Sequence, residues 1–333
     1  MSDSGPAPTM AERVGGRWTR MKLYILLTVN RELFTALLGG GMFLSLLVLG
    51  TFAEPSFRSY MIQYDPSRYV FQAYITALFT GVTLVVTLSQ LVLSQELGPL
   101  GSQRQQMSKS MSFRGDVEQL LEDSSPAEPA AFLRALIDTS RTTAEALQEE
   151  VADHSNDELE EQVETLVDNI VTNAETVSDE IEDRTFGEYA VVKAALDYAY
   201  SWKIDQARRI RDTYIDDLSD EAVNALIDLV DILSYFGPAR EHIKTLYFQW
   251  ELVNLSREML YLAIPALVVS SALASYLTPT SFSGATLGIS HLLWINSAGI
   301  TISSLPFLLL AVYVFRLATI AKRTLAIGPF ILR

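Results

Sequence analysis

Four long stretches almost free of charged residues, at 33–53, 69–97, 259–277 and 292–315, constrain this chain more than any other feature. About 20 consecutive apolar residues suffice to cross the hydrocarbon core of a bilayer, where only helices and closed barrels satisfy every backbone polar group. The sequence therefore predicts an all-α polytopic integral membrane protein with four transmembrane helices. A helical cytoplasmic domain is inserted between the second and third. The first stretch, by its position and length, is expected to be a retained span rather than a cleaved signal peptide. The second stops at Gly98-Pro99, where proline cannot continue a helix.

Basic residues set the orientation. Arg13, Arg17, Arg20, Lys22 and Arg31 precede the first span, and Arg104, Lys109 and Arg114 follow the second. Arg240, Lys244 and Arg257 precede the third, and Arg316, Lys322, Arg323 and Arg333 follow the fourth. The connections at 54–68 and 278–291 hold only Arg58 and Arg68. Both termini and the middle of the chain are expected in the cytoplasm of a multi-pass cell-membrane protein. The expected order is an N-terminal segment 1–32, spans at 33–97, a cytoplasmic domain 98–258, spans at 259–320 and a tail 321–333. Trp18 to Val29, apolar and basic, is a candidate interfacial helix.

Charge is divided between these parts. Residues 105–245 carry 32 acidic and 12 basic side chains, a net of −20, whereas the whole 333-residue chain carries −15. Such an acidic surface repels nucleic acid and makes cations candidate partners of the domain. Adaptation of a proteome to high internal salt would give the same bias.

The middle reads as helical. From 157 to 183, apolar residues fall at Leu159, Val163, Leu166, Ile170, Ala174, Val177 and Ile181, a coiled-coil-like seam close to a heptad repeat. Ser124-Ser125-Pro126 and Glu128-Pro129 form a linker into a helix at 130–151. A single helix is expected over 186–216. Ser219, followed by Asp220 and Glu221, is a candidate N-cap for a helix ending at Gly237-Pro238. The next helix should then run without a break into the third span.

The second span carries the most informative pattern. Gln72, Thr76, Thr80, Thr83, Thr87, Gln90 and Ser94 recur at helical spacing along one face of an otherwise apolar segment. Hydroxyls and amides offer hydrated ions both donors and acceptors, so these seven are candidate pore-lining residues. The competing reading buries them between helices, or bonds them back to their own backbone. In the first span Ala36, Gly40, Gly41 and Ser45 form small-residue pairs suited to helix packing. Pro265 and Pro306 are candidate kinks, with Asn296, Thr301, Ser303 and Ser304 near the second.

Other features point to no chemistry. The chain lacks cysteine, which excludes disulfides and thiolate sites, and His154, His242 and His291 lack metal-ligand spacing. Arg208, Arg209 and Arg211 have nearby Asp205, Asp212, Asp216 and Asp217 to pair with, or an anionic ligand. No phosphate-cradling loop or nucleophile elbow occurs, so neither enzyme nor cofactor is expected, a membrane enzyme being a distant third reading.

The order of two spans, a cytoplasmic insert and two more spans resembles that of bestrophin-type anion channels and of flagellar-type stator subunits. The resemblance is one of topology alone, and no residue role is carried over. The leading expectation is a homo-oligomeric channel or pore lined by the second span. The alternative is a membrane-anchored scaffold or sensor.

Overall fold

The computed structural model describes residues 30–96, 98–121, 123–152, 156–182, 184 and 187–323. The candidate interfacial segment at 18–29, the last ten residues of the expected tail and His154 lie outside them. Apart from turns and connections, the described chain is helical, with one two-residue β-ladder. In order it forms α1 (Arg31–Phe52), α2 (Phe57–Tyr64), α3 (Pro66–Glu96), α4 (Leu100–Leu121), α5 (Pro129–Val151) and α6 (Asp157–Ile181). Then follow α7 (Tyr189–Asp197), α8 (Tyr200–Thr213), α9 (Asp220–Tyr276), β1 (Ala285–Thr286), β2 (Ile289–Ser290) and α10 (His291–Arg323). Four helices, α1, α3, α9 and α10, are long and apolar enough to cross a membrane. The chain divides into two compact units.

One unit contains Gly98–Phe248. Arg134 of α5 lies 3.7 Å from Glu182, and the Ser178 hydroxyl of α6 donates to Asp138 at 3.2 Å. These contacts make α5 and α6 an antiparallel pair. All seven residues of the expected α6 seam are buried, against Leu133, Leu136, Ile137, Ala144 and Leu147 of α5 among others. Asn156 caps α6, accepting from the Leu159 N–H at 3.3 Å, and Asp157, Glu158 and Glu160 occupy its first turn. The linker before α5 is pinned from α4. Arg114 donates to the Ser125 hydroxyl at 3.0 Å, and that hydroxyl and the Ser125 N–H donate to Glu118. These two donors hold the Glu118 carboxyl below its usual pKa.

Two expectations need correction here. The single helix over 186–216 is two helices, because Tyr198 leaves α7 with extended backbone (φ −79°, ψ 107°) and Ala199 follows it. Nor does Gly237-Pro238 end a helix: α9 is continuous from Asp220, capped by the Ser219 hydroxyl at 3.1 Å from the Ala222 N–H, to Tyr276. Gly237 has a tertiary role instead. A Cβ there would meet the Tyr200 ring at 3.2 Å, a ring that also packs on Phe236 and Arg240.

The second unit takes the described part of Leu23–Leu97 together with Gln249–Thr319. Its central helix is α10, whose apolar stretch is more deeply buried than those of α1, α3 and α9. α10 meets each of them: Thr301 and Leu305 lie against Gly39 of α1, the Ser304 hydroxyl is 2.9 Å from the Tyr74 hydroxyl of α3, and Ser303 is 2.7 Å from Ser270 of α9. Phe71, Leu78 and Val85, seven residues apart, bury one edge of α3 in three successive apolar clusters. The connection before α3 contains a short helix, α2, whose Met61 is fully buried. The connection before α10 is a hairpin. Its two turn residues, Leu287 (φ 57°) and Gly288 (φ 78°), both take the left-handed conformation that tight hairpins require.

Candidate functional site

The seven polar residues of α3 all point away from the unit's interior. Gln72, Thr76, Thr80, Thr83, Thr87, Gln90 and Ser94 are exposed, opposite the buried edge formed by Phe71, Leu78 and Val85. Five of them bond back to their own helix. Thr76, Thr80, Thr83 and Thr87 donate to the carbonyls of Gln72, Thr76, Phe79 and Thr83 at 2.8–3.2 Å, and Ser94 donates to Leu91 at 2.7 Å. A hydroxyl whose hydrogen is committed to a carbonyl turns its oxygen lone pairs outward. The face is therefore a ridge of acceptor oxygens, with the Gln72 amide at its start and the Gln90 amide one turn before Ser94 at its end. Exposed Phe79, Leu84 and Leu91 flank it with hydrocarbon.

The small-residue pairs of α1 lie on its exposed side. Ala36, Gly40, Gly41 and Ser45 are exposed, and a Cβ on Gly40 or Gly41 would meet nothing within 4 Å. Thr35, Gly39 and Leu47 are the buried residues of α1, and Gly50 also lies close against α10. A Cβ on Gly39 would lie 2.9 Å from Leu305, and one on Gly50 would lie 2.5 Å from Leu293. Pro265 sits exposed within α9 and Pro306 buried within α10, and both helices continue through them. Ser303 and Ser304 donate to the Gly299 and Ile300 carbonyls, and Asn296 accepts from Ser67 at 2.8 Å.

A second polar site joins three helices. Arg31, the first residue of α1, donates to Glu251 of α9 at 2.6 Å and to the Tyr313 hydroxyl of α10 at 2.7 Å. Its guanidinium also lies over the Tyr313 ring, 4.9 Å from the centroid. Glu251 and Tyr313 are fully buried, Glu258 reaches the same phenol, and Arg316 is buried on the next turn of α10. In the sequence Arg31 is only a charge at a span boundary and Glu251 one carboxylate among many. The available signal is that Glu251 and Glu258, seven apart, share one edge of the helix leading into the third apolar stretch.

The chain belongs to the family of unknown function DUF7972, which it matches over residues 1–333. No curated protein and no solved structure matches it. Two of the three arginines in the cluster of this DUF7972 chain form local pairs, Arg209 with Asp205 at 2.5 Å and Arg211 with Asp212 at 2.8 Å. His242 is exposed, and the His291 ring bonds the Thr286 hydroxyl at 2.8 Å. Among the described residues no three His, Asp or Glu side chains are grouped to hold a metal ion.

Proposed function

We propose that this DUF7972 chain is a multi-pass membrane protein with both termini in the cytoplasm, and that copies of it assemble into a channel lined by the outer face of α3. The observation that carries this reading is the outward exposure of all seven polar residues, which no other part of the described chain covers. A ridge of oxygen acceptors directed into hydrocarbon gains nothing, whereas in a ring of copies it faces water and its apolar flanks meet neighbouring copies or lipid. Acceptor oxygens stabilise cations, and the net charge of −20 over 105–245 attracts cations to the side of the membrane on which that segment lies. A hydrated cation is thus the permeant class this chemistry favours.

A membrane-anchored scaffold or sensor is the second reading, favoured by the back-bonded threonines, since such hydroxyls also fit a dry contact between copies. Thr83→Arg separates the two in proteoliposomes. Beside water it changes cation flux and leaves the assembly intact; in a dry contact the buried charge costs several kcal/mol and abolishes assembly. Leu84→Arg is the lipid-facing control. Absence of flux for any cation or anion, with assembly preserved, would leave only the scaffold.

A further inference from the structure

Within the unit containing Gly98–Phe248, Lys203 is fully buried, in the first turn of α8. Its amine donates to Asn173 Oδ1 at 2.6 Å and lies 4.2 Å from the centre of the Tyr198 ring. The Tyr198 hydroxyl is held in turn by Ser140 at 2.5 Å. Among the described residues the amine has no carboxylate within ion-pair distance. The neighbouring charges are already engaged. On α7, Asp197 is paired with Lys193 at 3.2 Å, and Lys193 also pairs with Glu180 of α6. On α5, Asp138 accepts from Ser178. On α8 itself Asp205 holds Arg209, and on α9 Arg240 lies over Tyr200 beside Glu241.

Asn173 is also what holds the break between α7 and α8. The same Oδ1 accepts from the Ala199 N–H at 3.1 Å, and the Asn173 amide donates to the Asp197 carbonyl at 3.3 Å. One side chain thus bonds both sides of the break and the buried amine together.

We propose that Lys203 is a proton-sensing element: neutral, it locks the α7–α8 break through Asn173, and protonated, it releases the break. A neutral amine is satisfied by one strong acceptor and an aromatic face. An ammonium has three donors, and here it meets one acceptor and a ring with no counter-ion, in a site closed to water. A cation over an aromatic ring recovers only part of the lost hydration. Burial accordingly pushes the Lys203 pKa down to about 7. The charged form is relieved when the break opens and the side chain reaches water, so proton binding and opening are linked.

The test is amide hydrogen exchange across residues 189–213 of the full chain in nanodiscs, corrected for the intrinsic pH dependence of exchange. Between pH 8 and pH 6 the opening constant should rise about tenfold, the linkage for an amine moving from a pKa near 7 to an ordinary one. Lys203→Met should remove that rise and keep the segment protected at both pH values. Asn173→Asp supplies a counter-ion but gives up the amide donor to the Asp197 carbonyl, so the break should open more at both pH values yet without the pH-dependent rise, which tests the idea if the methionine variant does not fold. A tenfold rise that survives in either folded variant, or a flat wild-type profile, would overturn the proposal. The readout does not depend on whether the assembled protein conducts.

Discussion

Arg31 and Glu251 meet at 2.6 Å with the glutamate wholly buried, so the first residue of α1 is tied to α9 through a charge with no exposure to solvent. A buried carboxylate left without its cation loses the compensation for its desolvation, so removing one partner costs more than replacing both. Arg31→Ala should lower stability by about 3–5 kcal/mol. The Arg31→Met, Glu251→Met double variant should recover most of that. Thermal unfolding in detergent measures both, and equal losses in the single and double variants would contradict the buried-pair account.

The α1 glycines should divide by what faces them. Gly39→Ala and Gly50→Ala press a methyl group onto Leu305 and Leu293, and should cost about 1–3 kcal/mol as overpacking. Gly40→Ala meets open space within the chain and should leave the unfolding temperature of the isolated subunit unchanged or slightly raised.

For Lys203 the sign of the pH dependence follows from its lowered pKa. The unfolded chain keeps the amine protonated up to about pH 10.5, and the folded chain only to about pH 7. Between those values the unfolded state binds more protons, so the destabilisation due to Lys203 is full below pH 7 and fades as pH rises toward 10.5. Lys203→Met should therefore raise the unfolding temperature most at pH 6–7, with the gain shrinking through pH 9. A gain independent of pH would show that the amine does not titrate in this window.

Much of the fold is legible in the residues, and the gaps have physical reasons. The α6 seam follows from local periodicity, and the Ser219 cap is a local signal as well. The break at Tyr198-Ala199 is not local, because it depends on Asn173 some 25 residues earlier. Gly237-Pro238 reads as a terminator, yet Tyr200 packs against that glycine and the helix continues. The spacing of the α3 stripe predicts a single face, and the structure adds that the face points outward. The Arg31–Glu251–Tyr313 site was hidden because its members lie up to 282 positions apart.

Water at the α3 face is best tested by cysteine accessibility, since the chain has no cysteine of its own. Single Thr80→Cys, Thr83→Cys, Thr87→Cys, Phe79→Cys and Leu84→Cys variants would be reconstituted into proteoliposomes and treated with a charged, membrane-impermeant thiol reagent. The account predicts rapid modification at 80, 83 and 87, with the sites at 79 and 84 inert. Uniform inertness at all five, in a correctly assembled complex, would contradict it.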